Sequence, residues 1–327
     1  MKTKETKGEA VKAKNVNKTA AGEAKPKAKV KQAARGGAKS VKSSSTSAKP
    51  KACAVYYVND NPIGQSRLVL SIRSLARHTP ADLDIVVMCD SKLDAVQEAL
   101  SGYLCGHRYR ELHTAGECLK EQGITDKGWN RIWPFGVLYR LVLPLHPFFQ
   151  EYDRVLYMDV DVLVSSDNAA SLLTADLSRC EIRAAPDVPW LQNRIREVYE
   201  NDILPENVKR LRRVLGDDMI VRPYVNAGVL LWNLPEIRKD LQWYKDRLAM
   251  FWEAECRGKF GYLDQDFINT MMVTRADLSP RMNTIVIPNN GARGDLTHYV
   301  GAQCKEMIAD AFSQGLFMPP VPPTTEA

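Results

Sequence analysis

The chain has 327 residues, 45% of them hydrophobic, and a formal net charge of +6. The charge is unevenly held: residues 1–51 carry fifteen Lys or Arg and three Glu, which leaves 30 basic against 36 acidic residues in the remainder. The composition excludes a membrane-spanning chain, because no run approaches the roughly 18–20 apolar residues of a span, and a disulfide scaffold, because the seven cysteines are odd in number, scattered and without a C-x-x-C pair.

Residues 1–51 have too few aromatic and large aliphatic side chains to bury a core, so they are expected to form a disordered, Lys/Ala-rich basic tail. The N-terminus has no apolar h-region, so no secretory signal is expected. Its three Glu and its preference for Lys over Arg argue against a mitochondrial transit peptide. Together with the cysteine pattern this points to a reduced, cytoplasmic protein. Lys-rich tails bind polyanions through counterion release, without sequence preference. A polyanion contact through the tail is therefore one reading, and a solubilising or tethering role is the other.

After the tail, ACAVYYV (52–58) is β-rich and stops at the turn cluster NDNPIG. A helix follows, with Leu68, Val69, Ile72 and Leu75 on one face. LDIVVMCD (83–90) is a second strand, near-continuously apolar as a strand covered on both faces should be. The order then repeats, with a helix near 91–101, a short strand near 107–112, a helix near 133–143, and RVLYMDVDVLVSSD (154–167) as a further strand. This alternation predicts an α/β fold with a largely parallel sheet, in one catalytic domain over residues 52–312. The second half is less regular. EIRAAPD (181–187), NAGVLLWNL (226–234) and NTIVIP (283–288) read as strands, and 191–214, 236–257 and 264–273 as helices. Beyond His298 come a short helix and a Pro-rich tail, 313–327, expected to be disordered or draped on the surface.

The stretch at 154–167 carries two acids, Asp159 and Asp161, inside an apolar frame of Val160, Val162, Leu163 and Val164. Side chains at i and i+2 of a strand point to one side, so both carboxylates can face one spot if strand geometry persists that far. In open α/β sheets ligands bind beyond the carboxyl ends of the strands, which is where these acids stand. An uncompensated buried carboxylate costs several kcal/mol, and a divalent cation removes that cost. Two oxygen ligands leave most of an octahedral shell open for phosphate oxygens, the usual placement of magnesium and manganese in phosphate chemistry. An added imidazole favours manganese over magnesium, and His298 in LTHYVG is the candidate.

Four motifs in order, RVLYMDVDVLV, VNAGVLLWNL, YLDQDFIN and THYVGAQCK, resemble glycosyltransferase family 8, whose members include glycogenin and bacterial lipopolysaccharide galactosyl- and glucosyltransferases. The resemblance covers roughly residues 53–306. It implies a GT-A fold, Rossmann-like and nucleotide-sugar-binding, with a UDP-sugar donor and manganese, or magnesium in its place, held by Asp159, Asp161 and His298. It further implies that Asn59, Asp60 and Asn61 lie by the uridine and that Arg140 contacts donor phosphate or sugar. By the same likeness Asp187, Asn226, Ala227, Gly228, Asp264 and Gln265 surround the transferred sugar, with Gln265 beneath it. Short amide and carboxylate side chains suit that task, since sugar hydroxyls need fixed polar partners.

There are departures from the family. Its usual lysine follows the metal-binding histidine by six residues, whereas Lys305 comes seven after His298; Lys305 is the candidate for the diphosphate. The basic, aromatic C-terminal segment of some bacterial members is missing, which weighs against a lipid-bound acceptor. The resemblance implies a retaining transferase that moves a hexose, glucose or galactose, to a carbohydrate, glycoprotein or glycolipid acceptor. Two other functions compete with it: glycogenin-like self-glucosylation on one of twelve tyrosines, and a polyanion- or nucleic-acid-binding protein with an idle transferase domain.

Overall fold

The computed structural model describes residues 50–104, 106–177, 179–189, 191–193, 223–256, 262–272, 274–287, 291–301 and 303–318. The expected basic tail and most of the expected helix over 191–214 lie outside the described residues.

The first half follows the alternation read from the sequence. Strand β1 (Ala52–Tyr57) leads into helix α1 (Pro62–His78), which starts with Asn61 accepting the Ile63 amide and with proline at its first position. Then come β2 (Asp84–Met88), α2 (Asp94–Leu100), β3 (Arg108–Leu112) and α3 (Ala115–Glu121). The expected helix near 133–143 is a 3-10 helix, Phe135–Val142. Pro144 has no N–H to close an α-turn on the Arg140 carbonyl, and the Arg140 side chain takes the Val137 carbonyl at 3.1 Å.

The expected single strand at 154–167 is two. Strand β4 (Arg154–Met158) ends in a turn at Asp159–Asp161, and β5 (Val162–Val164) joins a different sheet. Helix α4 (Asn168–Thr174), β6 (Ile182–Pro186) and β7 (Val225–Asn233) follow. The expected helix over 236–257 is broken into α5 (Leu234–Arg238) and α6 (Leu241–Cys256). Helix α7 (Asp264–Met271) precedes β8 (Arg275–Asp277). NTIVIP contributes only β9 (Thr284–Ile285), followed by β10 (Leu296–His298) and α8 (Cys304–Ser313). Residues 314–318 turn back towards α1, with Leu316 buried and its carbonyl accepting from Arg73 Nη1 at 3.0 Å.

The main sheet has strand order β3-β2-β1-β4-β7-β6-β8, and a small sheet has order β5-β10-β9. Pairs β1–β2, β1–β4, β2–β3 and β6–β8 are parallel, while β7 runs antiparallel to both its neighbours. Helices on both faces leave the central strands no wet side, which explains their unbroken apolar runs. Side chains alternate across the sheet: Cys53, Val55, Val155 and Tyr157 pack on the face towards α3, α6 and α7, and Ala54, Tyr56, Leu156 and Met158 on the face towards α1, α2 and α4.

One ion pair ties the far edge together. Arg247 of α6, 1% exposed, donates to both Glu181 oxygens at 2.5 and 3.1 Å and to the Met271 carbonyl at 2.6 Å. Removing one partner of such a pair leaves a buried charge uncompensated, at a cost of about 3–5 kcal/mol. Arg247→Met is therefore expected to lower the thermal midpoint by at least about 6 °C. A second change, Glu181→Leu, should recover much of that loss, and scanning calorimetry of the two variants checks both statements.

Candidate active site

The carboxyl ends of β1, β4 and β6 share one rim with the amino end of the antiparallel β7. A cavity of about 570 Å³ opens there, lined among others by Tyr57, Asn59, Asn61, Arg67, Arg140, Asp159, Asp161, Asp187, Asn226, Gly228, Asp264, Gln265 and His298. That volume falls in the usual range of small-molecule sites.

The two acids converge through a turn rather than through strand periodicity. The Asp159 amide donates to the Gly228 carbonyl at 2.8 Å, and Val162 N closes the turn on the Asp159 carbonyl at 3.2 Å. Beyond the turn β5 pairs antiparallel with β10, placing His298 opposite Val162. His298 Nε2 then lies 3.2 Å from Asp161 Oδ1 and 3.8 Å from Asp159 Oδ2. One ligand atom from each of Asp159, Asp161 and His298 falls within 4.8 Å of the others.

The donor set fits a divalent cation. Two carboxylates from the turn after β4 and one imidazole from β10 converge, and the imidazole suits manganese better than magnesium. The ring itself is held in a close cradle. His298 is buried, its Nδ1 has no hydrogen-bond partner among the described residues, and a Cβ on Gly228 would collide with Cε1 and Nδ1. Gly228→Ala is accordingly expected to displace the imidazole and weaken the site's affinity for a divalent cation by at least about tenfold, as calorimetric titration with manganese as the probe would read. An unchanged affinity would show that the ring is not held by this contact.

Charge around the trio is shared among several groups. Burial disfavours an ionised Asp161, but His298 and Arg67 hold its carboxyl below the usual range. Burial would likewise lower His298, yet Asp161, Asp159 and Asp187 hold it up. Arg140, 4% exposed, donates to Asp159 Oδ1 at 2.8 Å and to the Ala227 carbonyl at 2.7 Å, and its Nη1 lies 3.2 Å from Asp264 Oδ2. Tyr157 supports it, with the guanidinium 4.1 Å from the ring centroid and the hydroxyl donating to Asp159 Oδ1 at 3.0 Å. Burial pushes the Asp264 carboxyl up to about 7, against Arg140, with Asp159 adding to the rise.

The opposite wall is a closed polar network. Asp187 Oδ2 accepts from Asn226 Nδ2 at 3.0 Å and from Gln265 Nε2 at 2.9 Å, and Asp187 Oδ1 accepts the Val188 amide at 2.6 Å. Gln265 Oε1 accepts the Ala227 amide at 3.0 Å. Asn226 Oδ1 takes the Gly228 amide and Asn283 Nδ2, each at 2.8 Å. A bulge underlies this arrangement. The β6–β7 register shifts between Ala184 and Pro186, so Ala227 faces one side of the sheet and Val229 the other, against strict alternation. Gln265 and Asp264 open α7 immediately after Leu263, whose φ of 51° is a strained, left-handed setting for a branched apolar residue.

Of the residues singled out from the sequence, Asn59 and Asn61 line the cavity mouth, and Asn61 also caps α1. Asp60 does not line it; its carboxylate accepts from Ser91 Oγ. Lys305 lies exposed in the first turn of α8, also outside the lining. Sequence reasoning missed Arg67, which stands 3.7 Å from Asp161 Oδ2 and donates to the Gly301 carbonyl at 3.3 Å. Its one available signal was the three-residue step from Gly64, which puts both on the same side of α1. Trp133, Tyr157 and Asn283 were missed as well. Among the described residues no helix is long and apolar enough to cross a membrane.

The fold is shared with solved glycosyltransferases. The galactosyltransferase LgtC, solved with donor and acceptor sugar analogues, is 19% identical, with a TM-score of 0.56 over 80% of this chain and 95% of that one. The bifunctional glycosyltransferase WbbM is 16% identical, with a TM-score of 0.57 over 83% of this chain and 52% of that one. Mouse xyloside xylosyltransferase 1 is 14% identical, with a TM-score of 0.54 over 77% and 98%. At these identities the likeness speaks for the fold alone. No curated protein sequence matches the chain. The model of glycosyl transferase family 8 matches residues 66–297, a span that includes Asp159, Asp161, Asp187 and Gln265. The chain belongs to glycosyl transferase family 8.

Proposed function

We propose that the protein is a manganese-dependent, retaining hexosyltransferase that moves glucose or galactose from a UDP-sugar to a carbohydrate, glycoprotein or glycolipid acceptor. The observation that carries this reading is the pairing of two walls in one cavity: the Asp159, Asp161 and His298 donor set, and the Asp187, Asn226 and Gln265 network.

In this reading the uridine lies at the mouth by Asn59 and Asn61, and the diphosphate lies over the acids. Asp159, Asp161 and His298 would hold a divalent cation, which would supply positive charge to the leaving diphosphate. Arg140 Nη2 holds Asp159 Oδ1, which leaves Asp159 Oδ2 on the His298 side of the cavity. The sugar rests on the opposite wall, where hydrogen bonds already made within the network fix the side chains before the donor arrives.

Retention in hydrolases commonly uses a carboxylate nucleophile close to the anomeric carbon. Asp187 is poorly suited to that part, because both its oxygens already accept N–H groups and a strongly hydrogen-bonded carboxylate is a weak nucleophile. Gln265 is poorly suited too, since an amide is neutral. The reading is therefore front-side attack. The acceptor hydroxyl bonds to the anomeric carbon on the face the diphosphate is leaving, and its proton passes to the departing diphosphate oxygen. Gln265 orients the sugar and stabilises the positive charge that develops at its anomeric carbon.

Incubation with α-linked UDP-glucose or UDP-galactose, followed by NMR of the first-formed product, tests this. An α-anomer is expected; a β-anomer would overturn retention. Intact mass of the protein after the same incubation should stay unchanged, whereas added hexose units would replace this reading with self-glucosylation.

A further inference from the structure

A second cluster of ligating side chains stands on the same carboxyl rim, displaced towards the edge of the sheet where β2 and β3 finish. Val87 and Glu111 are paired in register, and the Cys89 amide donates to the Leu112 carbonyl at 3.1 Å. Side chains two apart on a strand share a face, so Cys89, two beyond Val87, and His113, two beyond Glu111, are brought to the same side of the sheet. One ligand atom from each of Cys89, Glu111 and His113 lies within 4.8 Å of the others. None of the three lines the sugar cavity.

We propose that Cys89, Glu111 and His113 form a second metal site, distinct from the Asp159, Asp161 and His298 set, and that it takes zinc or a similarly thiophilic divalent cation.

The geometry suits zinc. Bonds of about 2.3 Å to sulfur and about 2.1 Å to nitrogen in a tetrahedral shell separate those two atoms by about 3.6 Å. Cys89 Sγ and His113 Nδ1 stand 3.6 Å apart. Glu111 Oε2 stands 3.3 Å from the other ring nitrogen, His113 Nε2, so a cation bound to Nδ1 and Sγ requires the half-exposed imidazole to turn before the carboxylate joins its shell. The carboxylate is held in place: Tyr109 Oη donates to Glu111 Oε1 at 3.2 Å and the Leu93 amide to Oε2 at 3.3 Å. Outer-shell donors of this kind fix the carboxylate of a metal ligand. A thiolate with an imidazole and a carboxylate selects zinc over the hard cations magnesium and calcium, which prefer all-oxygen shells.

Exposure grades across the cluster. Cys89 is 1% exposed, the Glu111 side chain 15% and the His113 side chain 40%. The cation therefore enters from the His113 side, and water completes the fourth position there. Because β3 is the edge strand of the sheet, the bound metal clamps that edge to β2. The scattered cysteines gave no hint of this in the sequence, because the ligands come from two strands more than twenty positions apart.

Cobalt titration of the metal-free full chain tests the proposal. The expected result is one equivalent of cobalt showing a thiolate-to-cobalt charge-transfer band, bleached by one equivalent of zinc. Since the sugar-site donors include no sulfur, Asp161→Asn should keep the band. Cys256→Ser, at an exposed cysteine, should keep it too. Cys89→Ser and His113→Ala should each lose it, and the His113 change, at a half-exposed side chain, guards against a folding defect in the Cys89 variant. No band in the wild-type chain, or a band that survives both Cys89→Ser and His113→Ala, would overturn the assignment.

Discussion

Asp161→Asn is expected to lower manganese-stimulated transfer by at least about a hundredfold, roughly 3 kcal/mol of transition-state stabilisation, while the protein melts close to wild type. The substitution keeps the shape of the side chain and removes one charged ligand. In the free protein it also removes the partner of His298 and Arg67, so the neutral amide relieves burial of an acid at the same time as it loses that pairing. These two effects on stability oppose each other, whereas nothing offsets the lost ligand. Asp161 is a cleaner probe than Asp159, which also anchors Arg140 and Tyr157. Initial rates across a manganese series, beside a melting curve, check the prediction. Near-wild-type turnover with unchanged manganese response would remove Asp161 from the site.

Arg140→Met is expected to damage both stability and transfer. The guanidinium is buried among Asp159, Asp264 and the Ala227 carbonyl, and it is the cation shared by the two acids. Without it two carboxylates face each other in a water-poor pocket, at a cost of about 3–5 kcal/mol. Burial already pushes the Asp264 carboxyl up to about 7 with Arg140 present, so its loss should drive Asp264 to take up a proton. The double variant Arg140→Met with Asp264→Asn removes one orphaned charge and should recover part of the melting temperature without recovering transfer. Full recovery of transfer in the double variant would show that Arg140 serves only to neutralise Asp264.

How much of this was legible in the sequence depends on which physical signal carried it. The order from β1 to β4 was readable because buried parallel strands are unbroken apolar runs and amphipathic helices repeat at their own period. The convergence of Asp159 and Asp161 on one spot was readable, but by a different route from the one expected: the chain leaves the strand at Met158, and a turn bonded to Gly228 does what strand periodicity was expected to do. Register was not readable. The bulge that re-aims Asn226 and Ala227 depends on which residue of β6 stands opposite, and such a register shift leaves no trace in composition. His298 sits far along the chain in a three-residue strand; its residue type made it a candidate ligand, and the family resemblance singled it out. Arg67 was hidden for a simpler reason: an arginine early in an amphipathic helix usually points to water.

In the proposed reaction a cation held by Asp159, Asp161 and His298 would promote cleavage of a UDP-sugar. Release of UDP from UDP-glucose and UDP-galactose, measured on chelator-treated protein before and after manganese is restored, tests it most directly. Negligible release is expected in chelator, and strong release from one of the two donors once manganese returns. Release that proceeds equally well in chelator, or no release from either donor with manganese present, would contradict it.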